Sequence, residues 1–230
     1  TGEAKMTSSN TQVAAISNGI VVPTSDGECQ ITIQSGSHSL TFAVNVSGQA
    51  LPDPIRFNTE IQAALTKQGC NAGSCHGSPQ GKAGFSLSLF GFDSSHDQRT
   101  LVREGQNRRL NVLAPDESLM LKKPLLRIPH VGGKKLRPTD TAYQILRQWI
   151  YEGAQADPPS SPQCTGIIVY PGPDRLLRAP HLRQQLSVRA LFSDGSERDI
   201  TDIATYETSN KPIATVDENG LVKGAERGLA

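Results

Sequence analysis

Cys70-Asn71-Ala72-Gly73-Ser74-Cys75-His76-Gly77 is the stretch on which the reading of this chain turns. Two thiols followed directly by a histidine are the pattern by which c-type haem is attached. Each thiol adds across a haem vinyl group to give a thioether, and the adjacent imidazole takes the iron. Four residues separate Cys70 from Cys75, where the common motif has two. The longer spacer leaves two other readings open: the thiols could close a disulfide, or join His76 in a zinc site.

Composition sets wider bounds. A chain of 230 residues holds one or two domains, and its formal net charge of +1, without a block of like charges, argues against a nucleic-acid partner. No apolar run approaches the roughly eighteen residues that cross a bilayer, so no transmembrane segment is expected. The opening Thr1-Gly2-Glu3-Ala4-Lys5 is polar and reads as the interior of a longer polypeptide rather than a signal peptide. Gly, Ser, Thr and Val are common and aromatic residues few, as in β-rich modules with many turns.

Two proline-rich seams, Leu51-Pro52-Asp53-Pro54 and Asp157-Pro158-Pro159-Ser160-Ser161-Pro162, continue neither a helix nor a central strand. They divide the chain into residues 1–50, 51–157 and 158–230. Both outer arms read as strands, and they share a repeat. Thr7-Ser8-Ser9-Asn10, Val13-Ala14-Ala15-Ile16 and Asn18-Gly19-Ile20-Val21 parallel Thr208-Ser209-Asn210, Ile213-Ala214-Thr215-Val216 and Asn219-Gly220-Leu221-Val222. Asn-Gly between two apolar runs is a strong hairpin signal. The first arm continues past this hairpin through Cys29–Ile33 and Leu40–Val46. The second carries the strands before it, Gly166–Tyr170 and Gln185–Phe192. With Phe192-Ser193-Asp194-Gly195-Ser196 and Ile200-Thr201-Asp202, both arms resemble the bacterial immunoglobulin-like group 2 domain, each as a partial copy. An unpaired sheet edge invites strand addition, so strand exchange between the arms is expected, within or between chains, with Cys29 and Cys164 as a candidate pair.

The middle segment reads as helical. Asn58 caps a helix through Ile61, Ala64 and Leu65 that ends at Gly69; Ser95–Gly105 forms a second; Pro115 opens a short third that Pro124 stops. Ala142, Ile145, Leu146, Trp149 and Ile150 share one face of a fourth, from about Asp140 to Gly153. Gly84–Gly91 alternates apolar and polar residues, so Phe85 and Leu87 line either haem or ordinary core.

The motif, together with Gly84-Phe85, Leu87-Ser88-Leu89-Phe90-Gly91, Arg108-Arg109, Ser118-Leu119, Lys123-Pro124, Pro129-His130-Val131-Gly132-Gly133, Trp149-Ile150 and Glu152-Gly153, resembles the cytochrome c-like domain of large planctomycete proteins. Those proteins combine it with bacterial immunoglobulin-like modules. The resemblance implies a multidomain α+β chain: an α-helical cytochrome c-like domain between partial all-β immunoglobulin-like sandwich modules. It further implies one covalent haem c on Cys70 and Cys75, with His76 proximal to the iron. Such a domain transfers electrons to an unknown redox partner protein in a periplasmic or cell-surface setting, more an electron-transfer protein than an enzyme.

His130 is the better-placed distal ligand, because Pro129 stiffens its approach and Gly132-Gly133 lets the chain turn close. Met120, between Leu119 and Leu121, is expected to pack rather than ligate. Trp149 is placed against the haem with Phe85, Leu87 and Met120, and Arg109, like Arg108, Lys134, Lys135 and Arg137, is a candidate partner for haem propionates. A zinc-binding adhesive module built on Cys70, Cys75, His76 and His130, and a haem peroxidase with an open iron position, are the rival readings.

Overall fold

The computed structural model describes residues 4–17, 19–50 and 53–230. Residues 1–3, Asn18 of the first Asn-Gly turn, and Leu51-Pro52 of the first seam lie outside the described residues. The chain divides into two compact units, Thr1–Pro54 and Ile55–Ala230.

The first unit is all strand. β1 (Lys5–Ser8) precedes the hairpin of β2 (Ala14–Ser17) and β3 (Ile20–Pro23), and β4 (Gly27–Ser35) and β5 (His38–Val46) follow. The order β1-β4-β5 makes one antiparallel sheet. Alternation on β4 turns Cys29 and Ile31 inward, where they meet Val13, Ala14 and Val46 in a small core.

The second unit begins with a π-turn, Phe57–Ile61, that runs into α1 (Gln62–Lys67). α2 (Ser94–Val102), α3 (Leu119–Lys122) and α4 (Thr141–Tyr151) follow. The remaining strands are β6 (Cys164–Tyr170), β7 (Arg183–Gln185), β8 (Ser187–Phe192), β9 (Glu197–Asp199), β10 (Ala214–Val216) and β11 (Leu221–Gly224), in sheets β6-β8-β9 and β10-β11-β7. One apolar core gathers α1, α2, α3 and α4 around the fully buried Phe57, Ile61, Leu101, Leu121, Leu146, Trp149 and Ile150.

The expected α-helical cytochrome c-like domain is not what forms. Among the described residues, regular structure is mostly strand, eleven strands in four sheets, against four short α-helices. The helical signals of the middle segment yield pieces of four to eleven residues. Glycine and proline break the chain between them: Gly69, Gly81, Gly84, Gly91, Gly105 and Gly133 all take positive φ. The amphipathic period is real in each piece, but it sets which face is buried and not how far the helix runs.

The Asn58 cap is also corrected. The helix starts two residues earlier, after Arg56, whose own side chain makes no cap bond, while Glu60 of the first turn accepts from the Arg56 amide at 2.8 Å. Asp157 takes that place from the far end of the segment, its two carboxylate oxygens accepting from the Phe57 amide at 2.6 Å and the Asn58 amide at 2.8 Å. Glu152 accepts from the Ile55 amide at 2.8 Å. The second seam therefore closes the middle segment on itself as well as bounding it. Lys67, at the other end of α1, reaches the C-terminal strands. Its ammonium donates to the carbonyls of Ala204 and Glu218 and lies 5.1 Å from the centre of the Tyr206 ring.

All four cysteines are free; Cys29 is buried in the first unit and Cys164 is exposed on β6. Asp157→Ala removes a charged acceptor from two helix-start amides and should cost about 1–3 kcal/mol. Asn58→Ala should cost less, and denaturant melts of the two variants measure the difference.

Candidate functional site

The loop from Cys70 to Gly77 is a knot of backbone hydrogen bonds. The Cys70 amide donates to Leu65 at 2.9 Å, Cys75 to Ala72 at 2.9 Å, His76 to Cys70 at 2.9 Å and Gly77 to Ala72 at 3.0 Å. Asn71 is fully buried beneath it and donates to the Thr66 hydroxyl at 2.9 Å. A Cβ on Gly77 would stand 1.9 Å from the Asn71 carbonyl oxygen, so only glycine fits. The knot holds both thiols and His76 on one short turn.

His76 and His130, 54 positions apart in sequence by the difference of their numbers, come close together with nearly parallel ring planes. Their ring centroids are 6.4 Å apart and the planes are inclined by 13°. Nδ1 of His76 lies 3.0 Å from the Phe85 carbonyl oxygen, and Nδ1 of His130 lies 2.8 Å from that of Gly133. A carbonyl only accepts, so each Nδ1 carries the proton and each Nε2 keeps its lone pair. Tying one ring nitrogen to a backbone carbonyl is how a protein orients a ligating imidazole.

The separation also fits. Two imidazoles pointing edge-on at one ion from opposite sides, each bonded at about 2 Å with its centroid about 1 Å further on, put the ring centres roughly 6 Å apart. Burial, the Phe85 carbonyl, His130 and the cations Lys123 and Arg109 act on His76, and the net effect is to lower its pKa, led by burial. The ring therefore stays neutral and able to ligate at lower pH than an exposed histidine.

Cys70 packs against the main core, and burial, with Cys75 beside it, pushes its thiol up to about 12. A neutral sulfur suits that place; a free thiolate does not. Among the described residues, no three His, Cys, Asp or Glu side chains converge as a metal-holding group.

The remaining candidates separate. Phe85 packs on His76, ring centroids 4.5 Å apart. Leu87 and Trp149 are core residues, and Trp149 donates from its indole to the Gln155 carbonyl at 3.0 Å. Met120 is half-buried against the same core. Arg109 is buried and committed: its guanidinium donates to the carbonyls of Thr100 at 2.9 Å, Glu104, and Gly84 at 3.0 Å, and stacks 4.8 Å from the centre of Phe85. It braces the Phe85 loop instead of waiting for an anion. Lys123 and Lys135 are nearer the expected role, because their charges act on His76 and on Cys70 respectively.

Sequence reasoning missed Asp97, while Leu89 and Phe90 belong to the stretch expected to line haem or core. Asp97, wholly buried, accepts from the Ser88 amide at 2.5 Å, the Ser88 hydroxyl at 2.7 Å and the Gln62 amide group at 2.8 Å, fixing the end of the Phe85–Leu87 stretch. Leu89 and Phe90 flank the cysteine loop and are exposed, Phe90 by 64% while held at φ +52° by its amide bond to Asn71. A bulky residue in that conformation, turned to solvent, is a strained arrangement. The apolar alternation through Leu89 pointed to these two; nothing local marks Asp97.

Compared with known protein families and with curated proteins, the chain matches none. Arg109→Lys leaves one ammonium where a guanidinium met three carbonyls, and should destabilise the unit by about 1–3 kcal/mol. Thermal melts with Arg108→Lys as the neutral comparison measure this.

Proposed function

We propose that the second unit is a c-type haem site that carries electrons. Cys70 and Cys75 would hold the haem by thioethers, and His76 and His130 would be the histidines that bind its iron. The observation that supports this best is the pair of nearby, nearly parallel imidazoles, each with Nδ1 on a backbone carbonyl. The cysteine knot sets both thiols beside one of those rings. Haem c supplies a one-electron iron centre when bound.

The protein's part is to hold and shape that centre. The Phe85 and Gly133 carbonyls fix the ring orientations and make both imidazoles stronger donors. Phe85, Leu89 and Phe90 give apolar cover. Lys123 and Lys135 are the cations for the propionates. Two imidazoles donate to ferric iron more strongly than an imidazole and a thioether, so the potential falls below that of a His/Met site. With two histidines to bind the iron, the site would favour electron transfer over peroxide chemistry. Haem c is attached outside the cytoplasm, which makes the setting periplasmic or cell-surface, and the redox partner a protein of that compartment. No helix among the described residues is long and apolar enough to cross a membrane.

Expression with a cytochrome c maturation system should yield coloured protein whose haem stays on the chain in a denaturing gel. Cys70→Ala should leave one thioether and a shifted pyridine haemochrome band. His130→Ala should admit cyanide or carbon monoxide, while Met120→Ala should keep the parent low-spin spectrum. Colourless protein overturns the proposal, and zinc retained in its place would support the structural-module reading.

A further inference from the structure

Residues 82–85 form a tight hairpin turn whose aim decides how His76 is held. The Lys82 amide donates to the Phe85 carbonyl at 2.9 Å, and the Phe85 amide returns to the Lys82 carbonyl at 3.0 Å. Ala83 and Gly84, at the tip, take φ +53° and +70°. Such a turn requires the left-handed region at both positions, which glycine enters freely and alanine does not. Lys82, Ala83 and Gly84 are all exposed. The strain at Ala83 is therefore offset by contacts made elsewhere in the turn.

Arg109 makes the most telling of those contacts. Its buried guanidinium donates to the Gly84 carbonyl at 3.0 Å and lies 4.8 Å from the centre of the Phe85 ring. The same group donates to the Thr100 carbonyl at 2.9 Å, which ties the turn to α2. On the far side of Phe85, Asp97 takes the Ser88 amide and hydroxyl, and the Leu87 amide donates to the His76 carbonyl at 2.7 Å. A Cβ on Gly81 would collide with the Phe85 carbonyl, so that oxygen is pressed from behind. Its free side lies 3.0 Å from Nδ1 of His76.

We infer that Arg109 is a positioning residue for His76, acting through the strained turn and the Phe85 carbonyl. Its use rests on the haem reading above, because the ring so held is one of the two proposed to bind iron. The guanidinium on Gly84 keeps the turn closed, and the closed turn keeps the carbonyl aimed at Nδ1. His130 takes its carbonyl from Gly133, three residues on in its own turn, and that carbonyl is reached without Arg109. Loss of the guanidinium therefore frees one ring and not the other. An imidazole whose Nδ1 proton is held by a carbonyl is also the stronger donor at Nε2. Arg109 thus sets the donor strength of His76 from behind the Phe85 turn.

The test follows the His76 Nδ1 proton by NMR in the full chain before haem attachment. Arg109→Lys should speed its exchange with water about tenfold, the effect of one lost charge-assisted hydrogen bond, and leave the His130 Nδ1 proton at the parent rate. Ala83→Val, in the exposed turn where the fold is not at stake, should act in the same direction, because a β-branched side chain resists positive φ. Ala83→Gly should slow the exchange and, combined with Arg109→Lys, restore most of the parent rate. Asp157→Ala weakens the fold elsewhere by a similar amount and should leave His76 unchanged. In haem-loaded protein the reduction potential should rise in Arg109→Lys and hold in Arg108→Lys. Unchanged exchange in both Arg109→Lys and Ala83→Val, or equal acceleration at the two histidines, overturns the inference. So does an Arg109→Lys effect that Ala83→Gly fails to rescue. Colourless protein overturns the haem reading alone, and the exchange series, which needs no haem, still decides this one.

Discussion

The buried carboxylate of Asp97 is the constraint on which the loop-rich part of this molecule depends. A segment with only four short helices leaves many backbone amides and carbonyls outside any ladder, and each must be satisfied before it is buried. Asp97 meets three donors from two different elements, Ser88 and Gln62, and so fastens the Phe85 stretch to α1 and α2 at once. Arg109 does the complementary work for carbonyls, collecting those of Thr100, Glu104 and Gly84. Asp157 does it for the first amides of the helical start. Burial without these partners would cost several kcal/mol for each stranded group, more than the apolar contacts of a short helix return.

That division explains what could be read from the sequence. Strand alternation, the twice-used hairpin and the apolar face of Thr141–Tyr151 are local signals, and the corresponding elements form. So is the cysteine motif. The length of the helices was not legible, because glycine in the left-handed region and tertiary capping decide where each one stops. Asn58 looked like a cap on spacing alone, yet a carboxylate a hundred positions away is the better acceptor. Arg109 looked like a partner for haem propionates, since nothing nearby in sequence reveals that three carbonyls converge on it. Side chains that complete a loop's backbone act across closure of the fold, and closure is not a pattern.

The same economy joins the putting-together of the site to the C-terminal strands. Lys67 ends α1 three residues before Cys70 and holds carbonyls of Ala204 and Glu218, while Arg198 lies 3.5 Å from Glu60 at the other end of that helix. The helix that delivers the cysteine knot is thus gripped from both ends by the strand region. Desolvation lowers the Lys67 pKa, a sign that the ammonium works partly out of water, where its bonds to carbonyls count for more.

The two neighbouring histidines are held with unequal firmness, and this follows from their surroundings. His76 belongs to the cysteine knot, seated on the buried Asn71 and on Leu87, whose amide donates to the His76 carbonyl at 2.7 Å. His130 sits on a turn closed mainly by its own neighbours, with Gly133 bonded to both its carbonyl and its ring, and tied to the body through the Lys135 and Leu136 amides on Pro124. Val131 beside it is fully exposed. A local turn with few buried contacts opens at lower free energy than a knot rooted in the core. Of the two rings, His130 is therefore the one that this fold can move without disturbing the rest.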